Sequence, residues 1–136
     1  MDLLKSMKIS AAGMQTQGTR LRVISENLAN ADSYAQAPGG APYQRKTVTF
    51  QNALDRTIGA NTVRVHRIVP DKSEFETKYD PTHPAADKEG YIKTPNVKPL
   101  VELMDMREAE RSYQANLNVV EVSKRMLQRT IDMLRN

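Results

Sequence analysis

Apolar positions recur at helical spacing at both ends of the chain. Met7, Met14, Leu21 and Leu28 stand seven residues apart, and Leu4, Ala11, Gly18 and Ser25 form a second, smaller row that lets another backbone come close. At the other end Met106, Tyr113, Val120, Leu127 and Leu134 repeat every seven, joined by Leu103, Leu117 and Ile131. This is the stripe of a coiled-coil seam sustained over about four heptads, interrupted at Glu110 and Lys124. All seven prolines fall between Pro38 and Pro99, which leaves both ends free of the residue most costly to a helix interior. The second helix is expected from near residue 98, with Asn96 as N-cap and Pro99 in the first turn. Glu102, Asp105, Glu108 and Glu110 crowd its beginning and Lys124, Arg125, Arg129 and Arg135 its end, which suits the helix dipole. Between the helices RKTVTF (45–50) and TVRVHRIV (62–69) alternate as strands do, and DPTHPAADKEGY (80–91) reads as turns.

These elements define a mainly α fold: two long terminal helices paired as an antiparallel coiled coil, and a central segment of loops and short β-strands. Residues 1–31 and 98–136 form a discontinuous helical core, and residues 32–97 the extended loop and β segment. A 70-residue middle cannot cover the longer helix. The apolar surface left over is expected to meet copies of the same arrangement in neighbouring subunits.

Composition narrows the chemistry. At 136 residues the chain is one domain, and with no tryptophan and 5% aromatics its core is expected to be aliphatic and Met-rich. It has no cysteine, which removes disulfides, thiolate metal sites and Cys nucleophiles. The net charge of +4 comes with no run of more than two adjacent Lys/Arg, so no basic patch points to nucleic acid. The first residues lack the unbroken apolar region of a secretory signal, and no stretch approaches the roughly 20 apolar residues of a membrane span. No membrane insertion is expected.

The break at SENLANADSY (25–34) gathers oxygen-bearing side chains. Asn27, Asn30 and Asp32 lack the spacing of a calcium loop, and they read as helix-end caps and inter-subunit hydrogen-bonding groups. Asn30 suits a left-handed cap, and Asp32 or Ser33 can close a turn. His66 lies in a strand pattern and His83 in a proline-flanked turn, neither beside a nucleophile, and Gly39-Gly40 does not lead into a phosphate-binding helix. No catalytic residue, metal or cofactor is expected. In ERSYQANLNVV, Tyr113, Asn116, Leu117 and Val120 share a face, so an amide sits in the apolar seam where it would fix register. On spacing alone Asn116 and Gln114 also fit as solvent-facing spacers.

Four blocks carry a family resemblance: NLANADS, PYQRKTVTF, YDPTHPAADKEGYIKTPNV and EAERSYQANLNVVEVSKRML. In this order they resemble the flagellar proximal-rod proteins of the FlgC type. The resemblance implies a bacterial basal-body subunit, exported by the flagellar type III apparatus and polymerised into the rod that crosses the periplasm. It implies terminal helices in an inner tube, with Met7, Met14, Leu21, Leu28, Asn27 and Asn30 on the first helix and Met106, Tyr113, Asn116, Leu117, Val120, Leu127, Ile131 and Leu134 on the last as assembly residues. The middle segment would form the outer layer. The implied partners are copies of itself, other rod proteins and the export apparatus, with the surrounding ring or peptidoglycan as candidates outside. The link ADSYAQAPGGAPYQ departs from the shorter Thr-x-Gly-Tyr link of many axial proteins. The rival reading, from the pI and the coiled-coil-like end, is a cytoplasmic helical DNA-binding or adaptor protein, for which the sequence offers no basic recognition helix.

Overall fold

Asp2 opens the first helix, its carboxylate accepting from the backbone N–H groups of Leu4 and Lys5 at 3.1 and 3.4 Å. The structure, a computed structural model, describes residues 2–135. Its elements are α1 (Leu3–Ala29), β1 (Lys46–Asp55), β2 (Ala60–Pro70), β3 (Thr77–Tyr79), β4 (Tyr91–Lys93) and α2 (Pro99–Arg135). Helix α1 ends without a left-handed residue, since no residue other than glycine has positive φ among those described. Asn30 caps it by another route, donating from Nδ2 to the Glu26 carbonyl at 2.9 Å while its Oδ1 accepts from the Ser33 hydroxyl at 3.0 Å. Pro99 occupies the first position of α2, where its missing N–H costs nothing.

Strands β1 and β2 form one two-stranded sheet, turned through Gly59 at φ 62°. Asp55 holds that turn by accepting from the Thr57 N–H and hydroxyl at 2.9 and 2.6 Å. Strands β3 and β4 form the second sheet, antiparallel, with Thr77 opposite Lys93 and Tyr79 opposite Tyr91. The sequence reading assigned no strand there, because each is three residues long and β4 adjoins strong turn chemistry. Gly90 is required at φ 85°: an added Cβ would also meet Tyr79 Cε2 at 2.9 Å.

The chain divides into two units. The first comprises the described residues up to Leu21, Thr49–Arg67, and α2 from Arg107 onward; the second comprises Arg22–Val48 and Ile68–Met106. In the first, buried positions are small or polar apart from Ile58: Ser10, Gly13, Thr16, Ala109 and Ser123. In the second, Val23, Ile24, Ile92 and Val97 supply the apolar interior around Asn27 and Glu102.

Helices α1 and α2 pack against each other. In the first unit Gly13 lies so close to Asn116 that a Cβ would sit 2.9 Å from its Nδ2, and Arg20 pairs with Glu108 at 3.2 Å. In the second, Asn27 donates to Glu102 at 3.2 Å. The close contact therefore falls at Gly13, against the Asn116 side chain, whereas Gly18, the glycine of the expected small row, has nothing within 4 Å of its added Cβ. The expected Met-rich core is also corrected. No described methionine is fully buried, Met7, Met14 and Met106 are half-buried, and Met104, Met126 and Met133 are exposed, while the fully buried positions of the first unit other than Ile58 are small or polar.

A candidate assembly surface and its polar anchor

The second unit is organised by two side chains that are almost wholly buried, Asn27 and Glu102. A buried amide is stable only when its two donors and two acceptors are met, and Asn27 meets all four. Nδ2 donates to the Lys46 carbonyl at 2.8 Å and to Glu102 Oε2 at 3.2 Å; Oδ1 accepts from the Tyr43 hydroxyl and the Lys46 N–H, both at 2.9 Å. Burial, together with the neighbouring Glu26 charge, pushes the Tyr43 hydroxyl above its ordinary pKa. Because Lys46 begins β1, this one side chain joins the end of α1, the start of the hairpin and the first turns of α2.

Glu102 is compensated by Arg45, whose Nε donates to Oε1. The same guanidinium reaches Asp71 at 3.1 Å and Asp105 at 3.5 Å. Burial works against its charge, but Glu102 and then Asp71 outweigh burial and raise its pKa. Asp71 is held below the usual carboxylate range, first by the Ser73 backbone N–H and then by Arg45. Asn96 does not cap α2, which begins three residues later; its Oδ1 accepts from the Arg45 N–H at 2.7 Å and its Nδ2 donates to the Asp71 and Ser73 carbonyls at 3.1 Å. At the surface Lys46 pairs with Glu26.

Spacing could not reveal this network. Glu102 was legible only as an acidic residue at a helix start, and Arg45 as part of a strand. The one signal was positional, since Glu102 stands seven residues before Ala109, fourteen before Asn116 and twenty-one before Ser123. That row and Met106, Tyr113, Val120 and Leu127 make up the inward seam of α2. The 3,4 spacing is as expected, but its second row is polar and small, not the row of Leu103, Leu117 and Ile131.

The expected assembly residues fall into three groups. Asn27 is buried, with its hydrogen bonds spent inside the chain, and Asn30 is half-buried as a cap. Met7, Met14, Leu21, Leu28, Met106, Tyr113, Asn116, Leu117, Val120 and Leu127 are half-buried. Ile131 and Leu134 are exposed, by 49% and 84%. Spacing missed other exposed apolar side chains on α2: Leu100, Val101, Met104, Val119, Val122, Met126 and Met133. His66 is exposed on β2, and His83 serves its turn, accepting from the Ala85 N–H at 3.1 Å and meeting Tyr34 edge to face. Among the described residues no group of three or more His, Asp or Glu could hold a metal ion, and no helix is long and apolar enough to cross a membrane.

Paired terminal helices that expose this much apolar surface define a structural assembly protein. The model of the family described as flagellar basal body rod FlgEFG protein C-terminal matches residues 88–133, which include all but the last two residues of α2. The flagellar basal-body rod protein FlgC of Agrobacterium fabrum is 47% identical over 133 residues, 98% of this chain and 96% of that protein. The FlgC proteins of Salmonella typhimurium and Borreliella burgdorferi are 38% and 37% identical, each over 98% of this chain and 98% and 99% of their own. The chain belongs to the FlgC family of flagellar basal-body rod proteins. It is accordingly a structural, non-enzymatic subunit of the basal-body rod. The DNA-binding or adaptor reading has no support in this membership.

Proposed function

We propose that the subunit polymerises through the outward faces of α1 and α2, after export by the flagellar type III apparatus, into the periplasm-spanning rod. The observation that carries this reading is the run of exposed apolar side chains on α2, from Leu100 and Met104 to Met133 and Leu134. A monomer gains nothing from such a surface, and neighbouring helices would bury it at about 25 cal/mol per Å².

The helix pair reads as an antiparallel coiled coil, for within the first unit Gly13 meets Asn116 and, further along α1, Arg20 meets Glu108 earlier on α2. In this reading residues 1–31 and 98–136 form the inner core and 32–97 the outer segment. Met7, Met14, Leu21 and Leu28, with Met106, Tyr113, Leu117, Val120, Leu127, Ile131 and Leu134, contribute the inter-subunit contacts. Asn27, Asn30 and Asn116 act by fixing the register of the helices that carry them. The partners are copies of itself, other rod proteins and the export apparatus, and the outer segment faces the surrounding ring or the peptidoglycan.

The test is a strain carrying Met126→Glu with Leu134→Glu. The purified chain should keep wild-type helicity by circular dichroism, and the cells should lose motility and the chain its place in purified basal bodies. Normal swimming with this pair would overturn the reading.

A further inference from the structure

The chain has seven methionines and neither cysteine nor tryptophan. With no thiol to compete, its thioethers are the side chains that a peroxide oxidises most readily. Among the described residues Met7, Met14 and Met106 are half-buried, whereas Met104, Met126 and Met133 are exposed by 65%, 52% and 72%. The exposed three all lie on α2, and each stands among exposed aliphatic side chains. In the first unit Val119, Val122, Met126 and Met133 follow one another at spacings of three, four and seven, which puts them on one face of the helix. In the second unit Leu100 and Val101 precede Met104 by four and three residues, the spacing of neighbours on a helix surface.

A thioether suits an apolar contact surface, because it is flexible and polarisable and fits irregular neighbours. Oxidation reverses that property. A sulfur lone pair attacks one oxygen of hydrogen peroxide, and the S–O bond forms as the O–O bond breaks. The departing hydroxide takes the proton from the transferred oxygen and leaves as water. The sulfur has lost two electrons and the peroxide has gained them. The sulfoxide is a polar acceptor, and an acceptor buried in an apolar contact without a donor weakens that contact. On the free chain the same group faces water, so the fold of the subunit is spared.

We infer that Met104, Met126 and Met133 are modification sites through which a peroxide controls assembly. A subunit whose exposed methionines are sulfoxides keeps its helices but is excluded from the rod, and methionine sulfoxide reductases restore it. This rests on the proposed assembly through the α2 faces. In incorporated copies the neighbours cover these sulfurs, which makes the free subunit the sensitive form.

The sites are mapped by treating the purified chain with hydrogen peroxide and reading its peptides by fragment mass spectrometry, which separates Met104 from Met106. Met104, Met126 and Met133 should each gain one oxygen before Met7, Met14 and Met106; uptake at one rate at all six would overturn the assignment. The consequence is tested by a chain carrying Met104→Gln, Met126→Gln and Met133→Gln, which sets an uncharged polar group at each sulfur position. That chain should keep wild-type helicity and be about tenfold depleted from purified basal bodies. Wild-type content there would overturn the inference. If Met126→Glu with Leu134→Glu blocks assembly and the three glutamines do not, assembly through α2 stands and control by oxidation alone falls. Without any variant, cells grown with sublethal peroxide should carry about tenfold more sulfoxide at the three positions in the soluble chain than in the basal-body chain. Equal content in both would likewise refute it.

Discussion

Asn27 is the residue on which most depends. It is an amide in an apolar neighbourhood, and it is stable there because four partners from three segments converge on it. Asn27→Leu keeps the branching of the side chain but leaves the Lys46 backbone groups and one oxygen of buried Glu102 without their partner, and unsatisfied buried groups cost about 1 to 3 kcal/mol each. A loss of about 3 kcal/mol in urea unfolding is expected, and less than 1 kcal/mol would show that water replaces the amide. Arg45→Ala exposes the complementary weakness, since it strands the Glu102 carboxylate. Breaking a buried pair costs about 3 to 5 kcal/mol; because Arg45 keeps 21% of its side chain exposed, the lower end applies. Arg45→Ala with Glu102→Leu should recover most of the loss, and no recovery in the double variant would contradict the pairing. None of these partners shares a heptad spacing with Asn27, which is why the sequence showed the asparagine but not its role.

At the scale of elements, the helices were legible almost to their ends, because proline distribution and a repeat of seven act over tens of residues. What spacing could not settle was which residues of the repeat turn inward. Two seams were available on α2, one through Leu103, Leu117 and Ile131 and one through Glu102, Ala109, Asn116 and Ser123. A hydrophobicity count favours the first. The chain buries the second, because Gly13 and Ala109 leave room that leucines would fill, and the buried Glu102 finds Asn27 and Arg45 as partners. The two glycines of α1 accordingly separate in their predicted behaviour. Gly13→Leu overpacks the contact with Asn116 and should cost about 2 kcal/mol. Gly18→Ala meets nothing within 4 Å and should stabilise the free chain by up to about 1 kcal/mol through helix propensity. Loss of motility with the stabilised Gly18→Ala chain would place a neighbour's backbone against that glycine. The short strands β3 and β4 were illegible for the opposite reason: three residues are too few for a period of two to register, and their pairing depends on the turn that Gly90 permits.

For the molecule as a whole, a thin core places stability in charge and hydrogen bonding more than in apolar volume. The pH response follows. Asp71, Asp55 and Asp80 are depressed below an ordinary value of 3.8, chiefly by hydrogen bonds to Ser73, Thr57 and Thr82 respectively. A depressed carboxylate contributes stability that is present above its unfolded pKa and lost as pH falls through its folded pKa. The urea midpoint should therefore hold from pH 7 down to about 5 and decline progressively as the pH falls further through 3.8; a midpoint that rises on acidification would contradict the network. The same economy of apolar burial leaves α2 with a run of exposed apolar side chains, and in a rod subunit we propose that this surplus is the means of assembly. The most direct measurement places a single cysteine at Met104 or Leu134, exposed by 65% and 84% in the chain, and compares thiol labelling of the free chain with that of purified basal bodies. Rapid labelling of the free chain and protection in the basal body is the predicted result; equal labelling in both would contradict assembly through the helix faces.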